Sequence, residues 1–390
     1  MSRTARWAWA ALVAVVALVV VVRLGDADSR SADADESQSN VVSNLPPGVP
    51  EIKHLFVIML ENEDAKTTFG PQAPAPYLSA TLRQAGAYIP NYYGIGHASL
   101  DNYIAMISGQ PPNQQTQSDC QTFTPMLPGT LRKDGVALGQ GCVYPRKVKT
   151  IADQLEASGQ TWRGYMQDMA SSTEEGEPAS CRHPAIGAAD PTQGARPNDQ
   201  YATRHNPFVY FHSIIDSPAC SRNDVDLERL PRDLERERTT PAFSFITPDL
   251  CSDGHDLTCA DESQRGGYEG IEAFLREWVP RIERSAAYQD HGAILITFDE
   301  SSTSGASCCG EQTGPDTASN GGSDPGGGGG KVGAVMLSPC VKPGTVSKRP
   351  YDHFSFLRWA EDNFGLPHLA DAGEEELRPF GADVFTEPGC

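Results

Sequence analysis

Apolar residues along the chain fall into two patterns. Four runs are continuous: HLFVIML at 54–60, AFSFIT at 242–247, AILITF at 293–298 and VGAVMLSP at 332–339. Runs of β-branched and aromatic residues with no polar alternation suit strands covered on both faces. Other stretches place apolar residues at helical spacing, at 77–86, 100–107, 150–158, 270–287 and 353–364. Strands that alternate with helices predict an α/β fold: a doubly wound, mostly parallel central sheet with helices on both faces.

Hydropathy sets the first residues apart. MSRTARWAWAALVAVVALVVVVRLG begins with Arg3 and Arg6 and continues in the uncharged run Trp7 to Val22. That run is short for a bilayer span of about 20 residues and long for a signal core of about 7 to 15. Residues 1–24 therefore read as a signal peptide or an N-terminal membrane anchor, and either implies export, secreted or held at the outer face of the membrane. Residues 25–47 are small, polar and acidic, and are expected to form a disordered linker. Residues 48–390 then make one folded domain. Within it, 108–147 and 171–204 read as lids or insertions over a sheet edge. The Gly- and Ser-rich stretch 301–330 reads as a flexible loop, either a gate or a plain insertion. The run DLERLPRDLERER at 226–238 reads as an exposed charged segment.

Charge narrows the function classes. Against 31 basic residues stand 51 acidic ones, a formal net charge of −20, which excludes a general nucleic-acid or anionic-membrane surface. Membrane contact would come only through the N-terminal segment, if it is retained. An anionic substrate would need local cationic help, which a metal ion supplies. The ten cysteines of an exported chain predict disulfides, with Cys251 and Cys259 the most local pair. No two CxxC pairs occur, so a zinc knuckle is disfavoured and Cys308, Cys309 and Cys340 read as structural.

Ligands of open α/β sheets bind beyond the carboxyl ends of the strands, where polar residues that follow buried strands converge. FVIMLEN delivers Glu61 and Asn62, and AILITFDE delivers Asp299 and Glu300. Two carboxylate clusters on one rim repel unless a cation lies between them, and carboxylates with an amide oxygen suit a hard divalent ion. Glu63 and Asp64 are expected to be solvated or to cap the next turn. AFSFITPDLCSDGHD places Asp249, Asp253, His255 and Asp256 on a third strand-end loop. In GIGHASLDNYIAMISG, Ser99 stands at the start of an apolar helix, where backbone N–H groups and the helix dipole favour an anion.

Together LENEDAKTTFG, GHASLDNYIAMISG, RHNPFVYF, PDLCSDGHD, LITFDE and the tail from GGKVGAVMLSPC to GLPHL resemble a family. It is the bacterial and fungal phosphoesterases, acid phosphatases and phosphocholine-type phospholipases C among them, of the alkaline-phosphatase superfamily. The resemblance implies that Ser99 is both nucleophile and metal ligand, and that Glu61, Asn62, Asp299 and Glu300 complete the site of a divalent metal ion. It implies catalytic roles for His255 and His353 and substrate contacts for His205 and His97; Asn102, near the helix start, is expected to hold a phosphoryl oxygen. The implied activity is phosphoester hydrolysis through a phosphoserine, on a small-molecule or lipid ester. ENEDAKTTFG where phospholipase members read ENRSFD, and a tail with no room for further β-rich domains, favour a phosphomonoesterase over a phospholipase C or phosphodiesterase. Asp101 replaces a proline common in relatives, which leaves a non-catalytic binding domain as the competing reading.

Overall fold

The computed structural model describes residues 43–171, 178–323, 326–386 and 390. The expected leader at 1–24 and all but the end of the linker lie outside the described residues. From residue 43 the chain already joins the domain: the Asn44 N–H donates to the Asp362 carbonyl, and Leu45 packs on the core. No helix among the described residues is long and apolar enough to cross a membrane.

Eight strands form the central sheet: β1 (His54–Leu60), β2 (Ala87–Ile89), β3 (Trp162–Met166), β4 (Asp224–Asp226), β5 (Phe243–Thr247), β6 (Gly292–Phe298), β7 (Ala334–Leu337) and β8 (Thr345–Val346). Their spatial order is β8-β2-β7-β6-β1-β5-β3-β4. Pairing is parallel throughout except at β7, which runs antiparallel to both β6 and β2. The doubly wound, mostly parallel architecture expected from the sequence is the one observed. Every residue of β1 is buried, as a central strand with both faces covered requires. The four long apolar runs became β1, β5, β6 and β7. The outer strands β2, β4 and β8 are two or three residues long, too short to carry a period, and WRGYM of β3 is interrupted by Arg163 and Gly164.

The principal helices are α1 (Ser99–Ser108), α2 (Ile151–Ala157), α3 (Gly267–Glu283) and α4 (His353–Asn363). Each starts for a local reason where a cap is present. Thr150 and Asp153 form a reciprocal capping box on α2, and Asp352 accepts the Ser355 N–H at the start of α4. All ten residues of α1 are buried, because α1 packs against α4. Sequence and structure part at 270–287, where one expected helix ends at Glu283 and a new turn begins at Ala286, capped by Ser285. The segment 226–238 exposes most of its charged residues, as expected, while its leucines turn inward. Leu227 and Leu230 enter the core, and Asp233 is buried against Arg163 and the Tyr165 hydroxyl.

The ten cysteines form five disulfides: Cys120–Cys142, Cys181–Cys220, the expected Cys251–Cys259, Cys308–Cys309 and Cys340–Cys390.

The described part of the 301–330 stretch is closed on itself by backbone and joined to the loop before α1, where Gly94 N–H donates to Gly330 O. Ser301 N–H donates to Gly329 O, Gly328 N–H to Gly305 O, and Gly330 N–H to Ala306 O. Its glycine run forms a seam with the loop that precedes α1. A Cβ on Gly329 would lie 2.3 Å from the Gly96 carbonyl oxygen and 2.5 Å from the Gly94 carbonyl carbon. Backbone on both sides cannot yield as a flexible side chain could. Gly329→Ala is therefore expected to lower unfolding free energy by about 1–3 kcal/mol in urea titrations. Gly194→Ala, where a Cβ meets nothing within 4 Å, should stay within about 0.5 kcal/mol of the parent. Equal effects of the two would show that the seam is not close-packed.

Candidate active site

Three parallel strands end on one rim and hand over three polar segments. Beyond β1 come Glu61 and Asn62, beyond β6 come Asp299 and Glu300, and beyond β5 the loop runs to Asp253 and His255. Backbone ties the segments together, Glu61 N–H donating to Asp253 O and Asp299 N–H to Leu60 O. Asn62 adopts φ 56°, a left-handed conformation that asparagine tolerates, and turns the chain so that its N–H donates to Asp299 Oδ1 at 2.8 Å.

Glu61 is the hub. Its Oε2 accepts the Ser99 hydroxyl at 2.8 Å and the Asn62 amide at 3.0 Å, while its Oε1 accepts the Tyr103 hydroxyl at 2.7 Å. Ser99 and Tyr103 stand one helical turn apart on α1, so one face of that helix presents both to the same carboxylate. On the far side His205 Nε2 lies 3.4 Å from Glu61 Oε1, and His205 Nδ1 lies 3.1 Å from Asp253 Oδ2. The His205 ring stacks on Tyr103, and its backbone carbonyl accepts from Thr247 at the end of β5.

Glu61, Asp253 and Asp299 are buried together. Burial, followed by mutual repulsion, pushes Glu61 well above the usual carboxylate range. Burial does the same to Asp253, and it raises Asp299 to about 6 against the pull of the Asn62 N–H. His205 is pushed well below its ordinary value, by burial first and then by the nearby Arg204, so it is a neutral imidazole able to act as a ligand. Uncompensated buried carboxylates are costly, and a bound cation removes that cost. Two donor sets converge on Glu61: Glu61, His205 and Asp253 hold ligand atoms within 4.8 Å of one another, and Asn62, Ser99 and Asp299 lie on its other side. Both have the chemistry of a divalent-cation site.

Of the residues expected from the sequence, Glu61, Asn62, Ser99, Asp299 and His205 come together. Glu300 lies next along the rim and pairs with His97 at 2.9 Å. His255 is the more open histidine, with a side chain 32% exposed. Asn102 stands under the rim: its Oδ1 accepts the N–H groups of Ile95 and Gly96, and its Nδ2 donates to the carbonyls of Gly96 and Ala98. These bonds fill the amide's capacity, so Asn102 shapes the loop ahead of Ser99. His353 is fully buried behind Asp299. Its Nε2 donates to the Asp299 carbonyl at 2.8 Å, its Nδ1 accepts from the Tyr92 hydroxyl at 3.1 Å, and burial lowers it to about 4. With both nitrogens occupied it holds the Asp299 backbone in place. Asp64 caps the turn Ala65–Thr68 through its backbone, as one of the two expectations had it, and its carboxylate accepts from Ser301, Ser302 and Thr303 and latches the β1 loop to the β6 loop. Asp101 lies fully buried beneath Gly96, pushed well above its usual range by burial and by Glu300.

Sequence reasoning did not single out Tyr103, Arg204 or Asp119. Tyr103 was detectable as the residue four beyond Ser99 on a predicted helix, and Arg204 as the neighbour of His205 in RHNPF. Asp119 had no local signal. It reaches the site because Asp119 and Cys120 both take left-handed backbone conformations beside the Cys120–Cys142 disulfide, bringing Asp119 Oδ1 to the Leu100 N–H at 3.0 Å.

Residues 71–367 match the Phosphoesterase family. A probable acid phosphatase of Kluyveromyces lactis is 24% identical over 346 residues, covering 88% of this chain and 65% of that protein. A phosphate-repressible acid phosphatase of Penicillium chrysogenum is 27% identical over 323 residues, covering 82% of this chain and 61% of that one. The chain thus spans a little under two thirds of the length of these relatives. A solved structure described as a protein in the alkaline phosphatase superfamily from Vibrio parahaemolyticus is 12% identical, with a TM-score of 0.47 over 88% of this chain and 74% of that one. The matched region runs through Ser99, His205, Asp253, His255, Asp299 and His353, and the chain belongs to the phosphoesterase family.

Proposed function

We propose that this chain is an exported, metal-dependent phosphoester hydrolase that works through a phosphoserine and prefers phosphomonoesters. The observation that carries the reading is the Ser99 hydroxyl, at the first turn of a buried helix and 2.8 Å from the hub carboxylate Glu61. A serine is a poor nucleophile unless a base or an ion activates it. The relatives named acid phosphatases support the monoester preference, and five disulfides suit an oxidising compartment.

Glu61, Asn62, Ser99 and Asp299, with Glu300 beside them, would hold a divalent cation, and His205 and Asp253 offer further donors. When bound, such an ion offsets phosphate charge and favours the serine alkoxide. The rest follows from the chain's own groups. The Ser99 hydroxyl hydrogen points at Glu61 Oε2, so its departure is laid out as Oγ attacks phosphorus and the ester P–O bond breaks. The positive end of α1 faces the developing charge. His255, the more exposed ring, would accept a proton from solvent and pass it to the departing alkoxide, and would then take a proton from the water that cleaves the phosphoserine. His353, Tyr92, Tyr103 and Asn102 act by holding Asp299, Glu61 and the loop before Ser99.

Ser99→Ala is expected to reduce divalent-ion-dependent hydrolysis of a chromogenic phosphomonoester by at least about 10³-fold with unchanged circular dichroism. A wild type with no metal-dependent turnover on monoesters or diesters would overturn the enzyme reading. Faster turnover of phosphatidylcholine than of the monoester would favour a phospholipase.

Stability should report the ion independently. Glu61, Asp253 and Asp299 have folded pKa values raised above the unfolded range of about 3.9–4.3. Without a cation their contribution to stability is therefore fully present below about pH 4 and is lost as pH rises through about 6 and beyond. A cation competes with protons for the same oxygens, so it should protect more as pH rises. The difference in Tm between cation-supplemented and chelator-treated protein is expected to be small near pH 4 and to widen towards pH 7. A difference that is absent or flat across that range would reject the cation site.

A further inference from the structure

Arg204 lies within this acidic centre. Its side chain is 3% exposed, and its Nη1 donates to the backbone carbonyls of Thr192 and Gln193 at 3.4 and 3.2 Å. Its Nη2 is 3.0 Å from His255 Nε2. A guanidinium only donates, so His255 Nε2 must be the acceptor, and the ring proton sits on Nδ1, which donates to Asp256 Oδ1 at 2.7 Å. Among the described residues the nearest carboxylate oxygen to Arg204 is Asp119 Oδ2, 4.0 Å from Nε and beyond hydrogen-bond reach.

A buried guanidinium ordinarily sits in a close carboxylate pair, as Arg182 does with Asp199 at 2.8 and 2.7 Å. Arg204 instead spends one arm on a neutral imidazole while a surplus of carboxylates surrounds it. It is the fixed cation that acts on Glu61, Asp119 and Asp253 together. Its position is tied to the nucleophile, because Asp119 also accepts the N–H of Leu100, the residue after Ser99, and His205, the next residue, lies against Glu61.

We propose that Arg204 is the site's phosphoryl-binding guanidinium, and that a phosphoryl oxygen takes the N–H now aimed at His255 Nε2. The inference rests on the phosphoester hydrolase reading. A phosphoryl oxygen carries negative charge that the neutral imidazole lacks, so the exchange adds ion-pair attraction to the guanidinium's hydrogen bond. Release from Arg204 frees the lone pair of His255 Nε2 to accept a proton from solvent and pass it to the ester oxygen as the P–O bond breaks, so the same exchange that fixes the phosphate opens the imidazole to its proton. Asp119 is the competitor that draws the guanidinium away from an incoming anion.

The probe is inorganic phosphate titrated calorimetrically into the purified holoprotein, with Tm recorded for each variant. Arg204→Lys keeps the charge and loses the fork, and is expected to weaken phosphate binding about 10-fold. Asp119→Asn removes the competing charge while its amide oxygen still accepts from Leu100, and is expected to tighten phosphate binding. An Arg204 that merely ties down the carbonyls of Thr192 and Gln193 would give a lower Tm in Arg204→Lys with unchanged phosphate affinity, and no tightening in Asp119→Asn. That pair of results overturns the proposal. If Arg204→Lys fails to fold, Asp119→Asn decides alone, and unchanged or weaker binding rejects it. A wild type that binds phosphate through Arg204 yet hydrolyses no ester would refute the hydrolase reading and leave the phosphate site standing. An active wild type whose phosphate affinity and KM are untouched by Arg204→Lys would refute this inference alone.

Discussion

The constraint on which the rest of the site depends is the burial of negative charge at one edge of the sheet. Parallel strands point their carboxyl ends the same way, so β1, β5 and β6 bring Glu61, Asp253 and Asp299 to one place and bury all three. Each would sit comfortably in water. Buried together, all three carboxyls are pushed above their ordinary range, and they form a cluster of oxygens whose charge a cation would neutralise. The fold accepts that cost and surrounds the cluster with groups that prevent it from relaxing.

Those groups act mainly on backbone. His353 grips the Asp299 carbonyl, Asn102 cross-links the loop ahead of Ser99, and Asp64 latches the β1 loop to the β6 loop. The glycine seam allows backbone to approach where any side chain would intrude. At Gly94 an added Cβ would lie 2.4 Å from the Asp299 carbonyl oxygen. The Cys120–Cys142 disulfide sits beside the strained turn that presents Asp119 to α1. Most of the side chains named here hold a carboxylate or a serine in position; few face solvent. This is what precise geometry requires, since a site on loops stays ordered only where second partners fix its backbone.

Much of this was legible in the sequence, for identifiable reasons. Central strands are covered on both faces, so β1, β5, β6 and β7 announce themselves as uninterrupted apolar runs, and the polar residue after each run marks the rim. That logic located Glu61, Asn62 and Asp299. It misjudged residues whose role depends on a distant partner. Asp64 resembled any solvated acid until the hydroxyls of Ser301, Ser302 and Thr303 met it. His353 resembled a catalytic residue and Asn102 a ligand for a phosphoryl oxygen, while folding buried both and filled their hydrogen-bonding capacity. The run at 226–238 does expose most of its charges, as expected, but its leucine spacing is hard to see among them, and Leu227 and Leu230 are core.

The sequence by itself determined the class of fold, the rim and the helix that begins at Ser99, because hydrophobic period and strand-end polarity are local properties of the chain. Tertiary structure alone decided how the polar residues divide their labour. Glu61 became a hub only when Ser99, Tyr103 and His205 converged on it from α1 and from a loop far along the chain. Arg204 became a buried cation among carboxylates only when the loop holding His255 folded over it. Charge, tautomer and exposure belong to the assembled neighbourhood, since burial and Coulomb interaction depend on distances that no local pattern encodes.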